Sequence, residues 1–168
     1  MNNDDLRDVI LKLIADAFPR EVWRREIDRA LAGRAEDKEI LAGLNYLHDE
    51  GGPEFVSWRK AGHEWAYSLT AAGCRATVCC DMQTALVAGN VIELLFGQYP
   101  HHVSDKRLTG ALLAKLGMSG FDRERLAKAL RYLEISKFVL VEDEGVKLAP
   151  LGVDLVDGAL TDEGVTLL

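Results

Sequence analysis

Cysteine is scarce in this chain of 168 residues, which holds only Cys74, Cys79 and Cys80. An odd, clustered set does not staple a secreted scaffold, and no paired CxxC offers a structural zinc site. The thiols are expected to be reduced and partly buried, and the cytoplasm is the expected address. Proline is sparse too, so each of the four (Pro19, Pro53, Pro100, Pro150) marks a break. Long apolar runs are missing, and none approaches the roughly 20 residues that span a bilayer. The N-terminal MNNDDLRDVI is acidic and amphipathic, unlike a secretory signal, and no membrane partner is expected.

Catalytic signatures are also lacking. GALLAKLG at 110–117 does not have the spacing of a phosphate-cradling loop, and no GxxxxGK[ST] occurs. There is no GxSxG elbow, HExxH pair or EF-hand loop. The four histidines are scattered except for His101-His102, which reads as a solvated turn before a helix. Neither an enzyme nor a bound cofactor or metal is expected.

What the chain does have is apolar substance and an uneven charge. Hydrophobic residues make up 48% and charged residues 28%, enough to build a core without staples. The net charge of −7 argues against indiscriminate binding to nucleic acid. Yet residues 101–137 carry eight Lys/Arg against four Asp/Glu, while 138–168 carry one Lys against seven acids. A local basic segment therefore sits inside an acidic chain.

The chain also repeats itself. AFPREVWRREI at 17–27 aligns with QYPHHVSDKRL at 98–108, so that Phe18-Pro19 meets Tyr99-Pro100. At the same offset Leu6, Ile10 and Leu13-Ile14 meet Val87, Val91 and Leu94-Leu95, and Val22, Ile27 and Leu31 meet Val103, Leu108 and Leu112. After a five-residue insertion Ile40, Leu44 and Leu47 meet Leu126, Leu130 and Leu133, and LTAAG at 69–73 resembles LAPLG at 148–152. Two domains are expected, 1–75 and 76–168, joined by a helix around 71–98.

Periodicity gives each copy the same elements. In the first, Asp4 or Asp5 caps a helix with Leu6, Val9, Ile10, Leu13, Ile14 and Ala17 inward, and Pro19 stops it. A helix from Arg20 to Leu31 buries Val22, Trp23, Ile27 and Leu31, and a third from Ala35 to Asp49 buries Ile40, Leu41, Leu44 and Leu47. After Gly51-Gly52-Pro53, Phe55 to Trp58 form a strand and residues 59–63 a loop. The return strand is Glu64–Leu69, and Thr70 caps a further helix. In the second copy, helices run over Met82–Gln98, with Leu86 inward, over Ser104–Leu116 and over Phe121–Lys137. Strands at 138–142 and 146–148 flank a turn at 143–145, and Pro150 opens a last helix to Ala159. The fold class is mainly α with small β-hairpins, that is, α+β.

Three helices followed by a strand-turn-strand, with the LTAAG exit, resemble winged-helix domains, a variant of the helix-turn-helix. The likeness covers nearly the whole chain as two tandem copies. It is nearest in general form to tandem winged-helix transcription regulators and to the winged-helix partners of chromosome-organising complexes. The resemblance implies a DNA-binding regulatory protein, or else a protein-interaction adaptor of the same fold, acting as a homodimer.

In such domains the third helix enters the major groove while neighbouring elements grip phosphates. In the second copy that helix presents Arg125, Lys128, Arg131 and Tyr132, with Arg123 in its first turn and Lys106 and Arg107 on the helix before. The first copy reverses the charges. Its third helix opens on Glu36, Asp37 and Glu39, and its basic residues, Arg59 and Lys60, sit on the hairpin. Trp58 and Trp65 are expected to pack at the hairpin base. The second hairpin is acidic at Glu142-Asp143-Glu144. Duplex DNA and a protein partner are both expected ligand classes.

Overall fold

The structure, a computed structural model, describes residues 2–49, 52–77 and 81–161, apart from the side chains of 118–120 and 157–161. Gly51, Cys79 and Cys80 lie outside the described residues. The chain divides into two compact units, Met1–Cys80 and Asp81–Leu168. Among the described residues it is an α+β protein with eight helices and small antiparallel sheets. No helix among them is long and apolar enough to cross a membrane.

Unit 1 runs α1 (Asn3–Ala17), β1 (Val22–Trp23), α2 (Arg24–Leu31), α3 (Asp37–His48), β2 (Val56–Ala61), β3 (Glu64–Leu69) and α4 (Ala71–Ala76). Asn2, rather than Asp4 or Asp5, caps α1, its Oδ1 accepting from the Asp5 amide at 2.8 Å. The expected helix start at Arg20 gives way to β1. Val22 and Trp23 pair with Tyr67 and Ala66, completing a sheet of order β1-β3-β2. This pairing satisfies backbone groups that a helix so close after Pro19 would leave open. Residues 59–61, expected in a loop, belong to β2, and only Gly62 and His63 turn the hairpin. Gly62 supplies the positive φ of 65° that a two-residue turn requires.

Unit 2 runs α5 (Met82–Phe96), α6 (Asp105–Gly120), α7 (Arg123–Ile135), β4 (Val139–Glu142), β5 (Gly145–Leu148) and α8 (Pro150–Thr161). The expected joining helix over 71–98 is not continuous, because α4 ends at Ala76 and α5 starts afresh at Met82. The Asp81 carboxylate caps α5, accepting from the amides of Gln83 (3.2 Å) and Thr84 (3.3 Å) and from the Thr84 hydroxyl (2.6 Å). These bonds, the hydroxyl's foremost, hold Asp81 below the usual carboxylate pKa. The expected turn at 117–120 is instead helical, with a kink at Gly117 (φ 70°).

The two units solve the same packing problem with matched residues. Leu6, Ile10, Ile14, Val22, Ile27 and Leu31 are buried in unit 1, and Val87, Val91, Leu95, Val103, Leu108 and Leu112 are buried in unit 2. Each such side chain contributes about 1.5–3 kcal/mol by leaving water. Val103 exchanges hydrogen bonds with Val146 at 2.8 and 2.9 Å, where Val22 pairs with Tyr67 in unit 1. The Phe18–Pro19 and Tyr99–Pro100 bonds are both cis.

The exits from the hairpins match as well. The Thr70 amide donates to the Phe55 carbonyl at 3.0 Å, and the Ala149 amide to the Phe138 carbonyl at 3.0 Å. Gly73 and Gly152 then bring the next helix so near that a Cβ would stand 2.0 Å from the Phe55 oxygen and 2.2 Å from the Phe138 oxygen. The likeness of LTAAG to LAPLG thus reflects one backbone latch, built twice. Two expected core residues are exposed, Leu41 (44%) and Leu86 (47%). On α3 the inward place beside Ile40 and Leu44 goes to Gly43, and on α5 to Ala88 and Ile92.

Candidate nucleic-acid and protein interfaces

The basic helix α7 begins at Asp122, whose carboxylate accepts from the Glu124 amide at 2.9 Å. It buries Leu126, Ala129, Tyr132 and Leu133. Tyr132 was expected on the outer face beside the cations, but it is only 7% exposed. Its ring instead borders a small apolar cavity of about 80 Å³ with Ala88, Ile92, Leu133 and Phe138. The buried arc of α7 is therefore turned toward residue 132, leaving Leu130 half-buried, and Tyr132 is not available to stack on a base.

The cations of α7 and of the first turn of α6 divide into two groups. Lys128 lies 2.8 Å from Glu124, Arg131 lies 2.7 Å from Glu134, and Arg125 stands 3.9 Å from Asp81. Exposed pairs of this kind are worth about 0–1 kcal/mol and exchange readily for other anions. Arg123, and Lys106 and Arg107 in the first turn of α6, are exposed. Among the described residues none of these three has a carboxylate within ion-pair distance.

The hairpin of unit 2 is acidic at its tip. Glu142, Asp143 and Glu144 are all exposed. Glu142 accepts from His102 Nε2 at 2.6 Å and from Lys147 Nζ at 3.2 Å, and these donors, His102 first, hold its carboxyl below the usual range. His102 is therefore engaged with the hairpin instead of standing in a solvated turn.

Unit 1 offers a different surface. Arg59, expected to meet phosphate, forms a bidentate pair with Glu21 at 2.7 and 2.5 Å. The Lys60 ammonium lies over the Trp65 ring, 5.7 Å from its centre. The first turn of α3 keeps its acids, with Asp37 on Arg24 and Glu36 at 2.9 Å from Lys38. Burial by itself would lower Arg24, but Asp28 and Asp37 more than offset it, and the guanidinium is held above its ordinary value. Burial likewise pushes the Tyr67 phenol up.

Between α3 and the hairpin lies a groove of about 420 Å³ lined by Leu41, Asn45, His48, Trp58, Trp65 and Tyr67, with Arg24 and Leu44. Cross-strand register puts Trp58 opposite Tyr67 and Lys60 opposite Trp65, so these four share one face of the hairpin. Trp58 and Trp65 were expected to be packed away, yet they are 45% and 36% exposed. Their rings meet edge to face at 4.4 Å, and His48 meets Trp58 at 5.4 Å. The His48 ring is fixed by Nδ1, 3.0 Å from the Val56 carbonyl. Sequence reasoning missed this groove. Its trace is the i, i+4, i+7 spacing of Leu41, Asn45 and His48, a second stripe beside the core stripe of α3.

Compared with known proteins, the chain matches no family model, no curated protein and no solved structure.

Proposed function

We propose that each unit is a winged-helix domain and that the chain is a regulatory protein whose second unit contacts duplex DNA through α7 and the first turn of α6. The contrast between the two third helices carries this reading. At matched places in the repeat, α3 opens on acids already engaged with Arg24 and Lys38, whereas α7 carries the exposed Arg123 and Arg131 and the half-buried Arg125 and Lys128. Arg123, Lys106 and Arg107, which have no carboxylate partner among the described residues, can take phosphate oxygens, and Arg125, Lys128 and Arg131 can trade weak carboxylate pairs for them. The buried Tyr132 and the acidic hairpin limit the contact to backbone grip plus Arg readout of guanine. Phosphate neutralisation releases counterions, so about four contacts predict an affinity loss of about 100-fold between roughly 50 and 200 mM salt. Fluorescence anisotropy of the full chain on mixed-sequence duplex measures this. No binding at the lower salt would end the DNA reading.

A second reading, a winged-helix adaptor that holds another protein, is favoured by one observation. The groove of unit 1 exposes two tryptophans beside a helix face of Leu41, Asn45 and His48, the kind of anchor set that protein interfaces use. A photo-reactive residue placed at Asn45 is expected to cross-link one partner in cells, and Trp58→Ala should lose it. Recovery of nothing above background removes this reading.

A further inference from the structure

We propose that His102, Glu142 and Glu144 form a binding site for a divalent transition-metal ion on the hairpin of unit 2. Three separate backbone positions bring these side chains together. The reciprocal Val103–Val146 hydrogen bonds fasten residue 102 to the hairpin, one residue from the bridge. Glu142 closes the β4–β5 ladder opposite Gly145, and Glu144 stands on the turn between them. Gly145 lets the turn approach so closely that a Cβ there would lie 2.3 Å from the Val103 carbonyl oxygen. The imidazole and the two carboxylates each offer one ligand atom, and all of these atoms lie within 4.8 Å of one another. His102 is the fixed member, 28% exposed, with Nε2 already aimed at Glu142.

The donor set selects the class of ion. Imidazole with carboxylates suits zinc, cobalt, nickel or iron(II), and is poorly matched to calcium or magnesium, which take oxygen ligands. Ligand atoms bound at about 2.0–2.2 Å stand roughly 3–3.5 Å apart, a gap that rotation of the exposed Glu144 side chain closes. Three protein ligands leave positions for water, so the site is open. Lys147, 3.2 Å from Glu142, and the proton on His102 Nε2 are the competitors: the ammonium must swing away, and the proton must leave Nε2 for Nδ1 or for solvent as the ion enters. That exchange keeps the affinity moderate. It also replaces one charge by two at a tip that carries Glu142, Asp143 and Glu144.

Cobalt(II) is the probe, titrated into the full chain under reducing conditions and followed by its visible absorption. Saturation at one ion per chain is expected, without the thiolate charge-transfer band that the cysteines would produce. Glu144→Gln and His102→Ala should each weaken binding by at least about tenfold, since even losing a hydrogen-bond partner of a ligand costs about 10–100-fold. Glu144 is exposed on a turn, so its variant decides the matter if His102→Ala disturbs the fold by circular dichroism. The absence of saturable binding, a thiolate band, or equal affinity in wild type and Glu144→Gln would each overturn the site. The readout is the ion's own spectrum and does not depend on whether unit 2 meets DNA.

Discussion

Gly152→Ala is expected to destabilise unit 2 by about 3 kcal/mol, the upper part of the overpacking range. The new methyl would stand 2.2 Å from the Phe138 carbonyl oxygen and 2.9 Å from Leu148 Cδ2. The leucine tip can yield, but the carbonyl cannot. It belongs to the backbone and accepts the Ala149 amide at 3.0 Å, so moving it breaks the bond that turns β5 into α8. For a unit of this size the loss corresponds to a fall of roughly 10–25 °C in melting temperature. Gly73→Ala should do the same to unit 1, where the distance to the Phe55 oxygen is 2.0 Å. Gly43→Ala is the control. Its methyl would meet the movable end of Ile10 at 2.9 Å, and alanine gains about 1 kcal/mol of helix propensity over glycine. A melt in which Gly43→Ala and Gly152→Ala behave alike would refute the latch.

Removing Lys106, Arg107 and Arg123 together is expected to cost about 100-fold in duplex affinity near 0.1 M salt and to flatten the salt slope by about 2.7, at about 0.9 per phosphate contact. None of the three has a carboxylate partner among the described residues, so each meets phosphate without first leaving an acid. Alanines at Arg125, Lys128 and Arg131 should cost only about tenfold, because those cations already neutralise Asp81, Glu124 and Glu134 in the free protein. Anisotropy titrations of both triple variants at several salt concentrations separate the two sets. An unchanged slope in the first set would mean that α6 and the start of α7 do not face the duplex.

The distinction between paired and free cations was not legible in the sequence, although the helix that carries them was. Apolar spacing placed α1, α3, α5 and α7, because a stripe at three- and four-residue steps must find a core. It did not fix how each stripe is rotated. Tyr132 shows why: at about 100° per residue it falls on the flank of the Leu126–Leu133 stripe, where either side is open to it. What settled its place was room beside Ala88 and Ile92, on a helix some forty residues earlier. Leu41 and Leu86 failed for the same reason, each lying two residues before the position that turns inward, Gly43 and Ala88. Strand alternation put Trp58 and Trp65 on a face but could not say whether anything covers it. The partners of Arg59 and His102 lie 38 and 40 residues away in the chain. Contacts at such separations come from folding of the unit and leave no local pattern.

The edge-to-face Trp58–Trp65 pair has an optical consequence. Two indoles with centres 4.4 Å apart and planes 82° to each other have strongly coupled transition dipoles. Their excitations should split into a pair of circular-dichroism bands of opposite sign, superposed on the helical spectrum of the far ultraviolet. Helix content read naively from that spectrum will therefore be in error for the native chain and correct itself in Trp65→Ala. The couplet is also a label-free report on the groove, because anything that prises the rings apart extinguishes it.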